Sequence, residues 1–350
     1  MEIYMTSNYS LNILGAKPSL EAARDLVAKA IESIQDYSQV RFADYGIADG
    51  VSSQELWQEI FANIKKQNNE AFIEAIFSDL PSNDFNALAK ISDFLMQNEP
   101  NLVVSMVPRS FYEPICPSNS IDFGFSSSAM HWLSKLPKHL PQHTHANACK
   151  QVEDKAIFQA QSQIDWRNNL LARAKELKSG GQIVIVHLST DKQGRYLGEN
   201  FVDLNMHDTL HEIWKQMQVE GLIEPEEYIG ATFQNYYRTE AEMTACLEDT
   251  QSEVYQAGLR LGDIRTVIMP CPHRTEYEND KDTEKFAQGF TEGISSWSEH
   301  TFRNALRNRT NEDISNIINK LFQRFKDKVR ENPNQFSLDY VDTYLRIYKV

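Results

Sequence analysis

The stretch VRFADYGIADG, residues 40–50, decides how this chain is interpreted. Its first seven residues are rich in aliphatic and aromatic side chains, which predicts a strand that runs into a loop. The loop has Asp44 at the strand tip, and Gly46 and Gly50 behind it allow the backbone to approach a ligand closely. In an open α/β sheet, ligands bind outside the carboxyl ends of the strands. We therefore expect a binding site at this strand end.

The sequence on either side of this stretch alternates between helical and strand patterns. Helices are predicted where apolar residues recur every three or four positions, over residues 18–35, 52–67 and 83–98. Short apolar runs predict strands over residues 71–81, 101–108 and 120–130. A further strand is expected to end at Thr190, after Gly180 and Gly181 have closed the preceding helix. The alternation predicts an α/β fold with a parallel sheet covered by helices.

The second half of the chain is mostly helical. Segments 201–248 and 283–330 have helical patterns, whereas residues 263–272 and 343–350 predict strands. Helices inserted before the last strands of a sheet would form a cap over its carboxyl edge. We therefore expect a core at residues 1–200, a helical cap at 201–260 and 281–332, a core strand and loop at 261–280, and a final core strand at 333–350.

Composition and charge limit the classes of partner. Lysine and arginine together number 35 against 49 aspartates and glutamates, so the net charge is −14. Such an acidic surface repels phosphate backbones and anionic headgroups, so we expect neither nucleic acid nor a membrane surface as a partner. The four cysteines lie far apart, which favours a reduced, cytoplasmic protein. No stretch approaches the roughly 20 apolar residues that a membrane span needs.

Two further features bear on the ligand. Asp79 ends the predicted strand at 71–81 and is placed to accept hydrogen bonds from both ribose hydroxyls of a nucleoside, but it could equally cap the helix at 83–98. The glycine loop alone is also compatible with a plain strand-to-helix turn. It lacks the Gly-x-Gly-x-x-Gly spacing of a dinucleotide site, which disfavours a nicotinamide-dependent oxidoreductase.

Three segments resemble one family in their order and spacing: SDLPSNDF (78–85), VPRSFY (107–112) and SSSAMHWLS (126–134). Together with EGLIE (220–224) and the helix at 287–306, they make the chain similar to the salicylate/jasmonate/theobromine-type methyltransferases, the SABATH family. The resemblance implies a class I, Rossmann-like sheet with a helical cap and S-adenosylmethionine (SAM) as cofactor. It also implies a homodimer that methylates small-molecule carboxylates or, in one branch of the family, ring nitrogens.

The resemblance implies a cofactor role for each residue that matches a family motif. These residues are Tyr9 and Asn12, which would fold over SAM; Asp44, Gly46, Asp49 and Gly50 in the glycine loop; Asp79 and Leu80 at the ribose and adenine; Ser110 and Phe111 beside the adenine ring; and Ser126 and Ser127 near the sulfonium.

On the acceptor side, the resemblance implies that His131 and Trp132 are the catalytic residues that orient the acceptor. The indole N–H of Trp132 is only a donor, which suits a carboxylate oxygen. Met206 and Phe290 of the cap are expected to exclude water from the acceptor.

Departures from the family pattern are Ser52 for an Asn of the glycine loop, Ala16 for a carboxylate-binding Gln, Ser128 for a Tyr of the acceptor pocket and His207 for a cap aromatic. Of these, Ala16, Ser128 and His207 belong to the predicted acceptor site.

The predicted function is transfer of a methyl group from SAM to the carboxylate of a small-molecule acid, which forms a methyl ester. A carboxylate is already ionised at neutral pH, so no general base is required and catalysis depends on proximity and alignment. Two alternatives stay open: an N-methyltransferase acting on a heterocyclic or indole-type compound, and a SAM-binding homologue without catalysis. No metal is predicted, because the spacing of His139, His143, His145 and Cys149 fits no closed zinc pattern.

Overall fold

The computed structural model describes Met5, residues 13–198 and residues 205–350. Tyr9 and Asn12, which are predicted to contact the cofactor, lie outside the described residues. The strands are β1 Gln39–Tyr45, β2 Phe72–Asp79, β3 Leu102–Pro108, β4 Ile121–Ser127, β5 Leu177–Thr190, β6 Arg238–Thr239, β7 Leu259–Met269 and β8 Tyr340–Lys349. The helices are α1 Ala16–Glu21, α2 Arg24–Glu32, α3 Gln54–Gln67, α4 Phe85–Asn98, α5 Val152–Glu176, α6 Met206–Val219, α7 Pro225–Gly230, α8 Glu240–Glu248, α9 Glu253–Gln256, α10 Pro272–Asp280, α11 Thr283–Ala305 and α12 Asn311–Glu331.

The sheet has the order β3-β2-β1-β4-β5-β8-β7, and β6 pairs with β5. Strands β1 to β5 pair in parallel, whereas β8 runs antiparallel to both β5 and β7. The predicted parallel α/β sheet is confirmed. The chain reverses its winding direction between β1 and β4, so the carboxyl ends of these strands flank the crevice where such sheets bind ligands.

Alternate side chains of β1 pack into two different hydrophobic cores, one on each face of the sheet. Phe42 packs with the buried faces of helices α1 to α4, for example against Trp57 and Ile60. Its neighbour Ala43 packs on the other face of the sheet with Trp166 of α5. This alternation is what a strand buried on both faces requires, because its side chains point to opposite sides in turn.

Two sequence predictions about local structure differ from the model. The helix predicted over 18–35 is divided, because α1 ends at Glu21 and α2 begins at Arg24. The prediction that Gly180 and Gly181 close a helix is wrong. Helix α5 ends earlier, at Glu176, and both glycines lie inside β5. The pairing register of β4 with β5 shifts there, Gly180 has a φ of +79°, and a Cβ on Gly181 would lie 2.9 Å from the Ile121 carbonyl oxygen.

Helices α6, α7, α11 and α12 share a separate apolar core that includes Trp214, Phe302 and Leu321. Helix α12 is clearly amphipathic, with Ile314, Ile317, Ile318, Leu321 and Phe325 buried at helical spacing. Helices α8 and α9, which fall within the segment predicted as cap, pack against β7 and α5 of the sheet. The exact division into core and cap segments stays a prediction. No described helix combines the length and apolarity needed to span a membrane.

Candidate functional site

A cavity of about 270 Å³ lies at the carboxyl ends of β1, β2, β3 and β4. It is built from the loops that follow these strands, as the sequence predicts. The predicted cofactor residues in its wall are Gly46, Asp79, Leu80, Ser110, Phe111 and Ser127. The wall also contains the predicted acceptor residues Ala16, Ser128 and Trp132.

The backbone at Gly46 requires glycine for two separate reasons. Its φ is +80°, and a Cβ at this position would lie 2.3 Å from the Cβ of Ala129. The amide of Gly46 donates to the Ser78 carbonyl oxygen at 2.8 Å, which ties the β1 loop to β2. The next turn of the loop also has left-handed backbone, at Ala48 with φ +50°. Left-handed backbone at a non-glycine residue is uncommon and tends to occur at functional sites.

Four of the predicted cofactor residues lie behind the cavity wall. Asp44 is buried and accepts a hydrogen bond from Trp57 Nε1 at 2.7 Å, and burial raises its pKa to about 7. Ser126 Oγ donates to the Tyr45 carbonyl oxygen. Asp49 accepts from the Val51 amide. Gly50 has a φ of +78°, and a Cβ at this position would lie 2.9 Å from both Trp57 and Leu88. These four residues shape the loops, and their contact with a ligand stays a prediction.

Asp79 joins two loops of the cavity wall. Its Oδ2 accepts from the Ala48 amide and its Oδ1 from the Leu80 amide, both at 2.7 Å, while burial raises the pKa of the carboxyl. A carboxylate oxygen can accept more than one hydrogen bond, so both oxygens can still receive a hydroxyl. The alternative that Asp79 caps the following helix is wrong, because Asp84 caps α4 by accepting from the Asn86 amide.

A second, smaller cavity of about 30 Å³ adjoins the first. The two share Met5, Ala16, Ser128 and Trp132. The rest of its wall is apolar or aromatic apart from one histidine, and comprises Ile13, His131, Leu188, Leu197, Tyr237, Trp297 and Tyr340. No lysine, arginine, aspartate or glutamate of the described chain lines it.

Two polar groups at the junction of the cavities are free to receive a ligand. Ser128 has left-handed backbone with φ +50°, and its buried Oγ has no hydrogen-bond partner within the described residues. The carbonyl oxygen of Trp132 accepts from the Tyr112 hydroxyl, but its indole N–H has no acceptor in that part of the chain. Trp132 lines both cavities, and its indole N–H can act only as a hydrogen-bond donor.

His131 is held in its neutral form. Burial, with a smaller contribution from the nearby Arg238 guanidinium, lowers its pKa to about 3. Its ring centroid lies 5.3 Å from that of Trp132. His131 is therefore a poor base at neutral pH. That His131 and Trp132 orient the acceptor stays a prediction.

The structure does not bring Met206, His207 or Phe290 to either cavity. His207 stacks on His145 with ring centroids 3.9 Å apart, and its Nε2 lies 3.2 Å from the Tyr237 hydroxyl. Met206 and Phe290 lie in the cap core, Phe290 among other phenylalanines. The cap aromatic in the wall of the second cavity is Trp297.

Several residues of the first cavity received no role from the sequence. Asn83 Nδ2 donates to the Ala48 carbonyl oxygen at 2.7 Å and supports the same loop as Asp79. Tyr112 and Asn83 belong to the quoted motifs, so the motifs already contained the signal. Gln234 lies in segment 201–248, for which a helical pattern is predicted, but the structure places it in an irregular stretch between α7 and β6. Only the fold brings it to the cavity.

The histidines and the cysteine considered for zinc are dispersed into other contacts. His143 Nε2 lies 2.9 Å from Asp208 Oδ1, and Cys149 donates to Gln151. His145 stacks on His207, and His139 lines a separate surface cavity. Within the described ranges, no three His, Cys, Asp or Glu side chains are arranged to hold a metal ion.

A family model described as SAM dependent carboxyl methyltransferase matches residues 5–349. The chain belongs to this family. The SABATH resemblance, the class I fold and the dependence on SAM are therefore confirmed. The wall of the first cavity contains a carboxylate, an aromatic ring and a glycine backbone, which are groups that suit SAM.

Individual relatives are similar over part of the chain, and one solved structure shares its fold. Methyltransferase FUS9 of Gibberella moniliformis is 33% identical over 179 residues, which are 49% of this chain and 46% of the relative. Indole-3-acetate O-methyltransferase 1 of Arabidopsis thaliana is 30% identical over 219 residues, 53% of this chain and 54% of the relative. In both alignments this carboxyl methyltransferase family member spans about half of its relative's length. A solved structure of a loganic acid methyltransferase with SAH has the same fold, with a TM-score of 0.78, 21% identity and coverage of 99% of this chain and 98% of the other.

Proposed function

We propose that the protein transfers the methyl group of SAM to a carboxylate oxygen of a small-molecule acid and so forms a methyl ester. The observation that carries this proposal is the junction of the two cavities. The larger one has polar groups at strand ends, and the smaller one is a neutral, mostly apolar chamber. They meet at Trp132, whose indole N–H is available as a donor at that junction.

On the cofactor side, Asp79 would accept from the ribose hydroxyls, and Phe111 and Leu80 would contact the adenine ring. Gly46 and Ser127 would border the methionine end. Tyr9 and Asn12 would close over the cofactor, as the family resemblance implies. When bound, SAM supplies a methyl group on a sulfonium; this carbon–sulfur bond breaks as the new carbon–oxygen bond forms, which leaves S-adenosylhomocysteine.

The acceptor chamber favours a group that is already nucleophilic. Its titratable side chains are His131, held neutral by burial with a pKa of about 3, and the tyrosines Tyr237 and Tyr340. An imidazole with so low a pKa removes protons poorly from an indole-type N–H or from a phenol. A carboxylate has lost its proton before it binds and needs no base.

The residues of this chain would then act by orientation and by exclusion of water. Trp132 would donate to one carboxylate oxygen, while the apolar wall keeps water away and strengthens the attraction between the anion and the sulfonium. Ala16, where the family resemblance places a carboxylate-binding Gln, offers no donor. We infer that the buried hydroxyl of Ser128, which lines both cavities, takes part in holding the acceptor.

A transfer assay with methyl-labelled SAM tests the proposal. Pools of small carboxylic acids and of nitrogen heterocycles are supplied separately, and SAM affinity is measured by calorimetry on the same preparation. Label in the acid pool alone supports the proposal. Label in the heterocycle pool alone identifies an N-methyltransferase, and SAM binding without transfer to either pool favours a non-catalytic homologue.

We also propose that the protein works as a homodimer in the cytoplasm. The family resemblance supports the dimer, and all four cysteines are unpaired thiols, as in a reducing compartment. Light scattering coupled to size exclusion tests the dimer, and fractionation of cells that express the tagged chain tests the compartment.

A further inference from the structure

Residues 234–238 form a strap that connects the cap to the sheet and crosses the loop carrying Trp132. We define this loop as residues 129–134. The strap and the loop run side by side, with a β-bridge between Asn235 and Trp132. The Tyr236 amide donates to the His131 carbonyl oxygen at 3.0 Å. The backbone next to the acceptor donor is thus paired with a segment from another part of the chain.

Gln234 forms two hydrogen bonds with this loop. Its carbonyl oxygen accepts from the Leu133 amide and its side-chain Nε2 donates to the Leu133 carbonyl oxygen, both at 2.8 Å. The side chain is 5% exposed and also forms part of the wall of the first cavity. Gln234 therefore binds both backbone groups of the residue that follows Trp132, the amide through its main-chain carbonyl and the carbonyl through its side chain.

Arg238 holds the other end of the loop. Its Nη1 donates to the Met130 carbonyl oxygen at 2.7 Å and lies 2.8 Å from His187 Nε2, and its Nη2 donates to the Ser162 carbonyl oxygen at 2.8 Å. The side chain is 1% exposed. The two carbonyl groups that Arg238 positions therefore satisfy donors of a buried cation. Burial lowers its pKa, whereas Tyr112 and the carboxylates of Asp165 and Glu242 favour its charged form.

We propose that Gln234 and Arg238 are positioning residues for Trp132. By fixing Met130 and Leu133, they keep the Trp132 indole in the wall between the two cavities. Methyl transfer depends on alignment, so a small displacement of this donor lowers the rate of transfer. The inference rests on the proposed role of Trp132 and extends it to residues that contact its loop.

A double-mutant cycle tests the inference. Gln234→Met and Trp132→Phe are made singly and together, and kcat/KM for the acceptor and Kd for SAM are measured. Gln234→Met is expected to lower kcat/KM about tenfold in the wild type but less than about twofold in the Trp132→Phe background. Arg238→Met is expected to behave in the same way, with partial recovery in Arg238→Lys. The SAM Kd stays within about twofold throughout.

Gln182→Met provides the matched control. Gln182 is also buried, at 6% exposure, and bonds to Ser33 at the end of α2 and to Arg346 of β8, but it lines neither cavity. Its substitution is expected to lower stability and to leave kcat/KM unchanged. Additive losses in the cycle would overturn the positioning role. If Trp132→Phe alone has no effect, the proposed acceptor assignment fails as well.

A second readout does not depend on activity. Hydrogen–deuterium exchange of peptides covering residues 129–134 is expected to be faster in Gln234→Met than in the wild type, because the Leu133 backbone loses a partner. The same peptides are expected to be unchanged in Gln182→Met. Equal exchange in all three proteins would overturn the inference even if no acceptor had been found.

Discussion

At Gly46, both the backbone conformation and the crowding beside the first cavity require glycine. Its left-handed φ excludes most side chains, and the contact with Ala129 excludes any Cβ. Trp132 has the opposite role, since its large ring separates two cavities and its N–H supplies a donor. A single substitution at each residue therefore tests its role.

Gly46→Ala is expected to abolish measurable SAM binding. The new methyl group would displace the Ala129 segment and the cavity wall, in addition to the cost of about 1–2 kcal/mol for left-handed backbone at alanine. Gly194→Ala is the control, because Gly194 has a φ of +82° with nothing within 4 Å of its Cβ position. Calorimetric titration with SAM distinguishes the two variants. Equal affinities in both would show that the clash at Gly46 is irrelevant to the cofactor.

Trp132→Phe keeps an aromatic ring and removes the indole donor together with part of the ring; the Trp214→Phe control removes the same atoms. Loss of one hydrogen bond to a charged acceptor corresponds to about 1.5–3 kcal/mol, so kcat/KM for the acid is expected to fall at least tenfold. The SAM Kd is expected to change little. Trp214→Phe is the matched control, because Trp214 donates to the Tyr228 carbonyl oxygen within the cap and lines neither cavity. An unaltered kcat/KM in Trp132→Phe would refute the role of its donor.

At the scale of elements, the site depends on where strands β1 to β4 end. Asp79 closes β2, and Asp84 starts α4 five positions later in the sequence. The two carboxylates are therefore close along the chain but serve different purposes, one in the cavity wall and one at a helix terminus.

Substituting Asp79 and Asp84 one at a time distinguishes the role in the cavity wall from the role at the helix terminus. Asp79→Ala is expected to weaken SAM binding strongly, because the loop loses the carboxylate that accepts from Ala48 and Leu80. Asp84→Ala is expected to lower the free energy of unfolding by about 1 kcal/mol, the usual cost of losing an N-cap, with SAM affinity kept. Urea denaturation and SAM titration measure the two effects. Weak SAM binding in both variants would mean that the loop, rather than Asp79, is responsible.

The strands and loops could be predicted from the sequence because the residues that specify each of them are close together in the chain. The apolar runs of β1, β2 and β4 and the motifs after them predicted the positions of Gly46, Asp79 and Trp132. Gln234 was not predictable, since its partner Leu133 is 101 positions away and the helical pattern predicted for its own segment gave it no role in the site. Phe290 was predicted to lie beside the acceptor, but it lies in the cap core. The sequence does not distinguish the two placements, because an apolar face on a cap helix has the same pattern whether it faces a ligand or another helix.

At the scale of the whole molecule, the buried carboxyls Asp44 and Asp342 link folding to pH. Burial raises the pKa of each to about 7. A carboxyl whose pKa is raised on folding binds more protons in the folded state, so its contribution is most favourable below pH 4 and is lost as the pH rises through 7. Buried histidines with lowered pKa values act in the opposite sense, so a comparison with single variants is needed.

Asp44→Asn is expected to gain stability relative to the wild type as the pH rises from 5 to 8. The amide stays neutral and can still accept from Trp57 Nε1, while ionisation of the wild-type carboxyl costs on the order of a few kcal/mol. Urea denaturation of SAM-free protein at both pH values measures the difference. Asp36→Asn, at an exposed carboxyl whose pKa is lowered by hydrogen bonds from Ser38, is expected to show no such gain. A pH-independent difference for Asp44→Asn would contradict the raised pKa.

The most direct test of the account is the chemical nature of the methylated product. Product made by the whole chain from methyl-labelled SAM and a pooled set of small carboxylic acids is treated with mild base, and volatile label is collected. A methyl ester releases its label as methanol, so the account predicts that the label becomes volatile. Label that stays on a non-volatile product would show that the methyl group is on nitrogen, carbon or an ether oxygen and would contradict carboxyl methylation.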